Sequence, residues 1–313
     1  MRPDPRDRPR PGPAGDPRGV PPPRRARQAR AGRGGGDVSR LLADWVVRAY
    51  LAGAAVGLTA PVVGSFLVQR RLALIGDGMG HLAFAGVALG VVLGASPLWG
   101  ALAVAAAGAL FLEGLRSRGR LAGDVSLAIV FYVGIALGSV LLSGAGRFDA
   151  SLLGVLFGSI FTTTWADVVE ITGLCALVLA ATVASYRGLL AVALDEETAR
   201  ASGLPVEPLN LLLLGLVALL VAAGMRVVGL LLVASLLVIP VAAGSRLAHS
   251  FRGALLAGAA AGLSSVLVGL VAAVWQGEIA PGGTVVLASS AIFAAASAVG
   301  RRAARRHPRR GLP

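Results

Sequence analysis

A succession of apolar segments between residues 45 and 300 constrains this chain more than any other feature. Each segment is close to the ~20 residues that cross the hydrocarbon core of a bilayer. Because lipid offers the backbone no hydrogen bonds, segments of this kind span as helices. The sequence therefore predicts an all-α, polytopic transmembrane bundle of about eight to nine helices. The predicted spans are 45–68, 76–95, 97–115, 124–143, 167–187, 209–224, 228–246, 253–275 and 283–300.

Composition agrees with a membrane protein. Hydrophobic residues make up 56% of the 313 residues and charged residues only 14%. A soluble domain of this length carries nearly twice that charged fraction. A single soluble core could not bury so many apolar side chains, so the bilayer must solvate much of the surface.

The remaining segments define the predicted domain organisation. Residues 1–40 are rich in Pro, Arg and Gly without an apolar period, which predicts a disordered tail. Residues 41–300 form the predicted transmembrane domain, and residues 301–313 a basic cytoplasmic tail. The stretch 150–163 is apolar but shorter than the other segments, so we expect a re-entrant or interfacial helix there.

The net charge of +13 does not indicate nucleic-acid binding. All 29 basic residues are Arg; ten precede Gly34 and six follow Gly300, and most others lie at the ends of apolar segments. That distribution is typical of a membrane protein. A chain without Lys also lacks a P-loop, which excludes ATP hydrolysis by that route. The arginines predicted to mark the cytoplasmic side are Arg70, Arg71, Arg116, Arg118, Arg120, Arg187, Arg200, Arg246, Arg252 and the C-terminal cluster.

An acid and a histidine stand four residues apart at the start of the second apolar segment. Asp77 and His81 share one face of a helix at this spacing. Ionisable residues within a membrane are costly and usually face a polar path or the bundle interior. A carboxylate and an imidazole together suit zinc or manganese. The same pair also fits a helix-capping Asp with a structural His, so the residues alone leave both interpretations open.

Two further segments have features expected of a transporter that changes conformation. Residues 193–210 are polar, with Asp195 as a candidate N-cap and Gly203 as a stop signal. They predict a short amphipathic helix on the cytoplasmic face, either as a plain interhelical connection or as a docking element for a partner. Pro240 lies deep within the span 228–246 and predicts a kink, which is either structural or part of a gate.

Several short motifs follow one another in a characteristic order along residues 45–300. They are Gly64-Ser65-Phe66, Arg70-Arg71, Gly76-Asp77, His81, Leu156-Phe157-Gly158, the segment Val228 to Pro240, and Pro281-Gly282-Gly283-Thr284-Val285. Each piece is weak alone, but the ordered set resembles the permease subunits of ABC-type zinc, manganese or iron importers.

The resemblance implies a type II-like ABC importer fold in the plasma membrane. Its transported substrate would be a divalent metal ion, with zinc first and manganese or iron as alternatives, and no cofactor would be permanently bound. The implied partners are a second permease copy, a cytoplasmic ATP-binding subunit that hydrolyses ATP, and an extracytoplasmic metal-binding protein. Asp77 and His81 would line the path of the metal. The implied ATPase-coupling residues are Asp195, Glu196, Glu197, Ala199 and Gly203.

Three alternatives stay open at the level of sequence. The first is a permease for chelated iron or a corrinoid, which would need a wide, uncharged path and no His81. The second is an intramembrane hydrolase using Asp77 or His81, although the chain has no HExxH motif. The third is a non-transporting membrane scaffold, which would not copurify with an ATPase.

Overall fold

The described part of the chain folds into helices and short connections. The structure is a computed structural model that describes residues 44–117, 123–144, 163–225, 228–276 and 281–306, and these residues contain no strand. The helices are α1 (Asp44–Gln69), α2 (Ile75–Val92), α3 (Pro97–Ser117), α4 (Gly123–Gly144), α5 (Trp165–Ala184), α6 (Tyr186–Leu194), α7 (Glu196–Ala201), α8 (Val206–Met225), α9 (Leu230–Leu247), α10 (Phe251–Gln276) and α11 (Pro281–Arg306).

Nine of the described helices are long and apolar enough to cross a membrane, namely all except α6 and α7. They coincide with the nine spans predicted from the sequence, which confirms the all-α transmembrane bundle. The predicted disordered tail 1–40 lies outside the described residues. So does the predicted re-entrant segment 150–163, apart from Thr163. Helix α11 continues to Arg306, so the first residues of the predicted C-terminal tail are helical.

The bundle has an inner and an outer set of helices. Helices α1, α2, α8 and α9 are the most deeply buried of the described spans, whereas α3, α4, α5, α10 and α11 leave one apolar face exposed. Helix α2 packs between α3 and α4, while α9, α10 and α11 pack together beside α1. This division fits a protein whose outer faces meet lipid or a partner chain.

Small residues let neighbouring helices of the bundle approach closely. Gly57 of α1 lies against Gly262 of α10, and Gly86 of α2 lies against Gly100 of α3. Gly64 of α1 sits directly on the backbone carbonyl of Leu237 in α9. A Cβ at Gly64, Gly86, Gly100 or Gly262 would collide with the neighbouring backbone, so the residue type sets the distance between the helices.

Two short helices, α6 and α7, connect α5 to α8. The sequence predicted α7 but not α6, whose residues we expected to belong to the preceding span and to a connection. An aromatic group holds α6 against the bundle: the ring of Tyr186 meets that of Phe66 at 5.9 Å, and Phe66 meets Phe251 at 5.2 Å. The guanidinium of Arg252 lies 5.5 Å from the centre of the Tyr186 ring.

Candidate functional site

Asp77 lies in the first turn of α2 and lines a cavity between α2 and α4. The cavity has a volume of about 320 Å³, and its other walls are apolar and aromatic. Asp77 is half-buried, so its carboxylate can reach this space while its backbone stays within the helix. A carboxylate on an otherwise apolar wall is the arrangement expected of a group that meets a cation in transit. The other lining residues are Leu74, Leu127, Ala128, Phe131 and Tyr132.

His81 lies one turn further along α2, on the face that carries Asp77. Its side chain is 9% exposed and its ring meets the edge of Phe131, with centroids 4.3 Å apart. Phe131 also lines the cavity beside Asp77, so the two ionisable residues share a neighbour. The Nδ1 atom of His81 is buried and has no hydrogen-bond partner among the described residues. A buried, unpaired nitrogen is costly unless a ligand meets it.

The described residues contain no group of three or more His, Cys, Asp or Glu side chains that could together hold a metal ion. Asp77 and His81 can therefore supply at most part of a coordination shell from the described part of one chain. A tightly held structural zinc takes four ligands. Two ligands suit an ion that keeps some water and leaves again.

Helix α7 begins where the sequence predicts, with Asp195 as its N-cap. Oδ1 of Asp195 accepts a hydrogen bond from the backbone N–H of Thr198 at 3.0 Å, and Oδ2 accepts one from the Thr198 hydroxyl at 2.7 Å. These two hydrogen bonds hold the pKa of Asp195 below its ordinary value, the backbone bond contributing more. The cap is fully exposed, so it shapes α7 without belonging to the core.

One face of α7 packs onto the bundle and the other meets solvent. Ala199 is buried and clusters with Val192 of α6 and Val206 of α8. Glu197 is exposed, and Gly203 ends the helix with φ of +78°, a conformation that glycine adopts without strain. Of the predicted coupling residues, Ala199 faces inward and Glu197 faces outward, so a docking partner would meet Glu197.

Pro240 is buried inside α9, where α10 crosses it. A Cβ at Gly258 of α10 would stand 3.4 Å from the Pro240 carbonyl, which shows how closely the two helices approach. Because proline cannot donate a helical hydrogen bond, the kink expected at this position remains a prediction.

A polar cluster that the sequence does not predict as a unit joins α7 to the membrane helices. We call Arg70, Glu113, Glu196 and Asn210 the Arg70 cluster. Arg70 follows the last residue of α1, Glu113 belongs to α3, Glu196 to α7 and Asn210 to α8. The sequence offers one signal for it, because Glu113 and Asn210 are polar residues inside apolar spans.

Comparisons with known proteins identify the family. Residues 43–300 match the profile of the ABC 3 transport family. The chain belongs to this family. It is thus a transport component and a multi-pass protein of the cell membrane, as the resemblance implied.

Similar proteins of this family are named as manganese transporters. The chain is 31% identical over 253 residues to the manganese transport system membrane protein MntC of Halalkalibacterium halodurans, covering 81% of this chain and 86% of MntC. It is 29% identical to the manganese import system permease protein ScaB of Streptococcus parasanguinis, covering 78% of this chain and 87% of ScaB.

A solved structure shares the fold. The structure of PsaBC from Streptococcus pneumoniae in complex with Fab matches with a TM-score of 0.75 at 26% identity. The match covers 83% of this chain and 94% of the PsaBC chain. The bundle described above is therefore an architecture already seen in this class of protein.

Proposed function

We propose that this chain is the permease subunit of an ATP-driven importer and that a divalent metal ion passes Asp77 and His81 on its way across the membrane. One observation carries the proposal: a carboxylate on a cavity wall and a buried, unpaired imidazole nitrogen share Phe131 as a neighbour. The reaction is transport by alternating access, without chemistry on the ion.

The choice of metal rests on ligand chemistry and on the relatives. A carboxylate and an imidazole suit zinc, manganese and iron(II). The sequence alone put zinc first, but the similar proteins MntC and ScaB are named for manganese. We therefore propose manganese as the first cargo to test, with zinc second and iron third.

The partners follow from the proposed role. A chain without Lys has no P-loop, so ATP hydrolysis must belong to a separate cytoplasmic subunit. The exposed Glu197 on α7 is the residue that we propose to meet it. A second permease copy and an extracytoplasmic metal-binding protein complete the proposed complex, and the exposed apolar face of α4 is compatible with a partner helix or lipid.

Metal content of whole cells tests the proposed function. Cells with and without the chain are grown on limiting manganese, zinc or iron, and the three metals are measured. We expect the loss of one metal without the chain, restored by the intact protein and by His249→Ala but not by His81→Ala. His249 is a matched control because it is exposed in the turn between α9 and α10. Equal content of all three metals in both strains would rule the proposal out.

A further inference from the structure

Arg70 contacts two helices through the two ends of its guanidinium group. Its Nη2 atom lies 2.6 Å from Oε2 of Glu196 on α7, and its Nη1 atom donates to Oδ1 of Asn210 on α8 at 2.6 Å. The Arg70 side chain is only 7% exposed. One side chain at the end of α1 therefore holds α7 and α8 together.

The contacts continue inward from Asn210. Its Nδ2 atom donates to Oε1 of Glu113 on α3 at 3.1 Å. Glu113 and Asn210 are 6% and 4% exposed. The Arg70 cluster thus joins four helices, α1, α3, α7 and α8, through charged or charge-assisted hydrogen bonds. Such bonds are roughly twice as strong as neutral ones.

Burial distinguishes this cluster from the ion pairs on the surface. Arg200 lies 3.0 Å from Glu207, but both side chains are more than half exposed. Exposed pairs of that kind contribute little. A buried guanidinium loses its water and must keep its partners, so the geometry of the Arg70 cluster is held far more strictly.

Arg70 also lies next to the turn that leads to the candidate metal site. The backbone N–H of Leu72 donates to the carbonyl of Leu67 at 2.9 Å, and Arg71 has φ of +59°. The turn between α1 and α2 is thereby closed by hydrogen bonds. Helix α2 begins at Ile75, and Asp77 follows two residues later.

We propose that Arg70 is a positioning residue that passes movements of α7 to α1 and, through the turn, to the segment of α2 that carries Asp77. Besides Arg70, two contacts attach α7 to its neighbours: the small apolar cluster of Ala199 with Val192 and Val206, and the exposed pair of Arg200 with Glu207. These contacts hold α7 on α6 and α8, whereas Arg70 connects α7 to α1. The inference rests on the proposed docking of α7 on an ATP-binding subunit.

The test uses the full complex of permease and ATP-binding subunit in liposomes, with manganese as the probe. Metal uptake and ATP hydrolysis are measured together for Arg70→Gln, Glu196→Gln and the double variant. Energetic coupling between sites typically corresponds to 5–150-fold, so we expect uptake per ATP to fall about tenfold in each single variant. The double variant should fall by much less than the product of the two single effects, because both changes remove the contact that Arg70 and Glu196 share.

Two controls separate positioning from loss of structure. Arg48→Gln removes an arginine at the opposite end of α1, whose partner Asp44 lies 2.9 Å away, and should leave uptake per ATP unchanged. Arg70→Lys keeps the charge but cannot hold Glu196 and Asn210 in the same geometry, so its uptake should be intermediate. If Arg70→Gln does not reach the membrane, Glu196→Gln carries the test, since the Glu196 side chain is 36% exposed.

A cross-link distinguishes failure of the inference from failure of the proposed function. The chain has one Cys, the buried Cys175, and no Lys. Any lysine that a cysteine-to-lysine cross-linker on Glu197→Cys captures therefore belongs to another chain. No cross-link to the ATP-binding subunit in the Glu197→Cys chain would overturn the docking of α7. A normal cross-link together with unchanged uptake per ATP in Arg70→Gln and Glu196→Gln would overturn the role of Arg70 alone.

Discussion

Single glycines set the distance between helices in this bundle, and Gly64 is the sharpest case. A Cβ at Gly64 would overlap the carbonyl oxygen of Leu237 across the α1–α9 contact, so there is no room for a methyl group. The neighbour is backbone and cannot swing aside as a flexible side chain would. Gly64, which precedes Ser65 in the early motif, is thus required by its packing against α9 and needs no role in transport.

Gly64→Ala should destabilise the protein by forcing α1 and α9 apart. Overpacking of this kind costs about 1–3 kcal/mol. Gly215→Ala is the matched control, because Gly215 lies inside α8 and a Cβ there would meet nothing within 4 Å. The measurement is the temperature at which the detergent-purified protein loses its monodisperse state. A drop of several degrees is expected for Gly64→Ala only, and equal temperatures for both variants would contradict this account of the packing.

Residue-level prediction from sequence depends on local signals. Asp77 and His81 stand out because ionisable residues are rare inside apolar spans, and helical spacing places them on one face. The contact between Arg70 and Glu196 spans 126 residues of sequence. No local pattern encodes it, since it depends on how α1 and α7 meet in the folded bundle.

Helix α7 depends on its N-cap, because six residues provide few internal hydrogen bonds. Asp195→Ala removes the acceptor for two hydrogen bonds from Thr198 and should fray the first turn. Hydrogen exchange at the Thr198 amide measures this directly. Faster exchange is expected for Asp195→Ala and nearly normal exchange for Asp195→Asn, since Asn caps equally well. Unchanged exchange in Asp195→Ala would show that the cap is dispensable.

The cap also has a predicted pH dependence. Because hydrogen bonds from Thr198 lower the pKa of Asp195 in the folded state, its ionised form stabilises α7. That contribution is fully present above the ordinary aspartate pKa of about 3.9 and is lost as the pH falls through the lower folded-state pKa. Protection of the Thr198 amide, corrected for intrinsic exchange, should thus be constant near neutrality and decline in acid.

At the level of elements, the membrane-spanning helices are easy to predict from the sequence, whereas the short helices that connect them are hard to predict. The nine spans were predictable because hydrocarbon thickness sets their length. Helix α8 begins at Val206, earlier than the predicted 209, since Pro208 is tolerated in a first turn. Helix α6 was missed because its apolar residues continue the span before it, and the two helices separate only at Ser185 in the folded chain. Contacts among Phe66, Tyr186 and Phe251 help to hold α6 against the bundle.

At the scale of the whole molecule, the ion pairs of Glu196 lie at one end of the bundle, opposite the pair of Arg48 with Asp44. Arg70 and Arg200 both contact Glu196, so they lie on the same side of the bundle, as the distribution of arginines predicted. Asp77 lies in the first turn of α2, which starts from this same side. Three features therefore lie towards the same side of the bundle: the candidate metal site, helix α7 and the Arg70 cluster. This arrangement fits the proposal that ATP-driven movement of α7 reaches the transport path.

The central claim is that a metal ion crosses by way of Asp77 and His81, and ATP-dependent uptake of radioactive manganese into liposomes containing the complete complex tests it most directly. Uptake should be retained in the wild-type protein and in His249→Ala. It should fall at least about tenfold in Asp77→Asn and His81→Ala, with ATP-binding subunit still bound, if each removes one of few ligands. Undiminished uptake in the variant that combines Asp77→Asn with His81→Ala would contradict the claim. So would a wild-type complex that takes up none of manganese, zinc and iron.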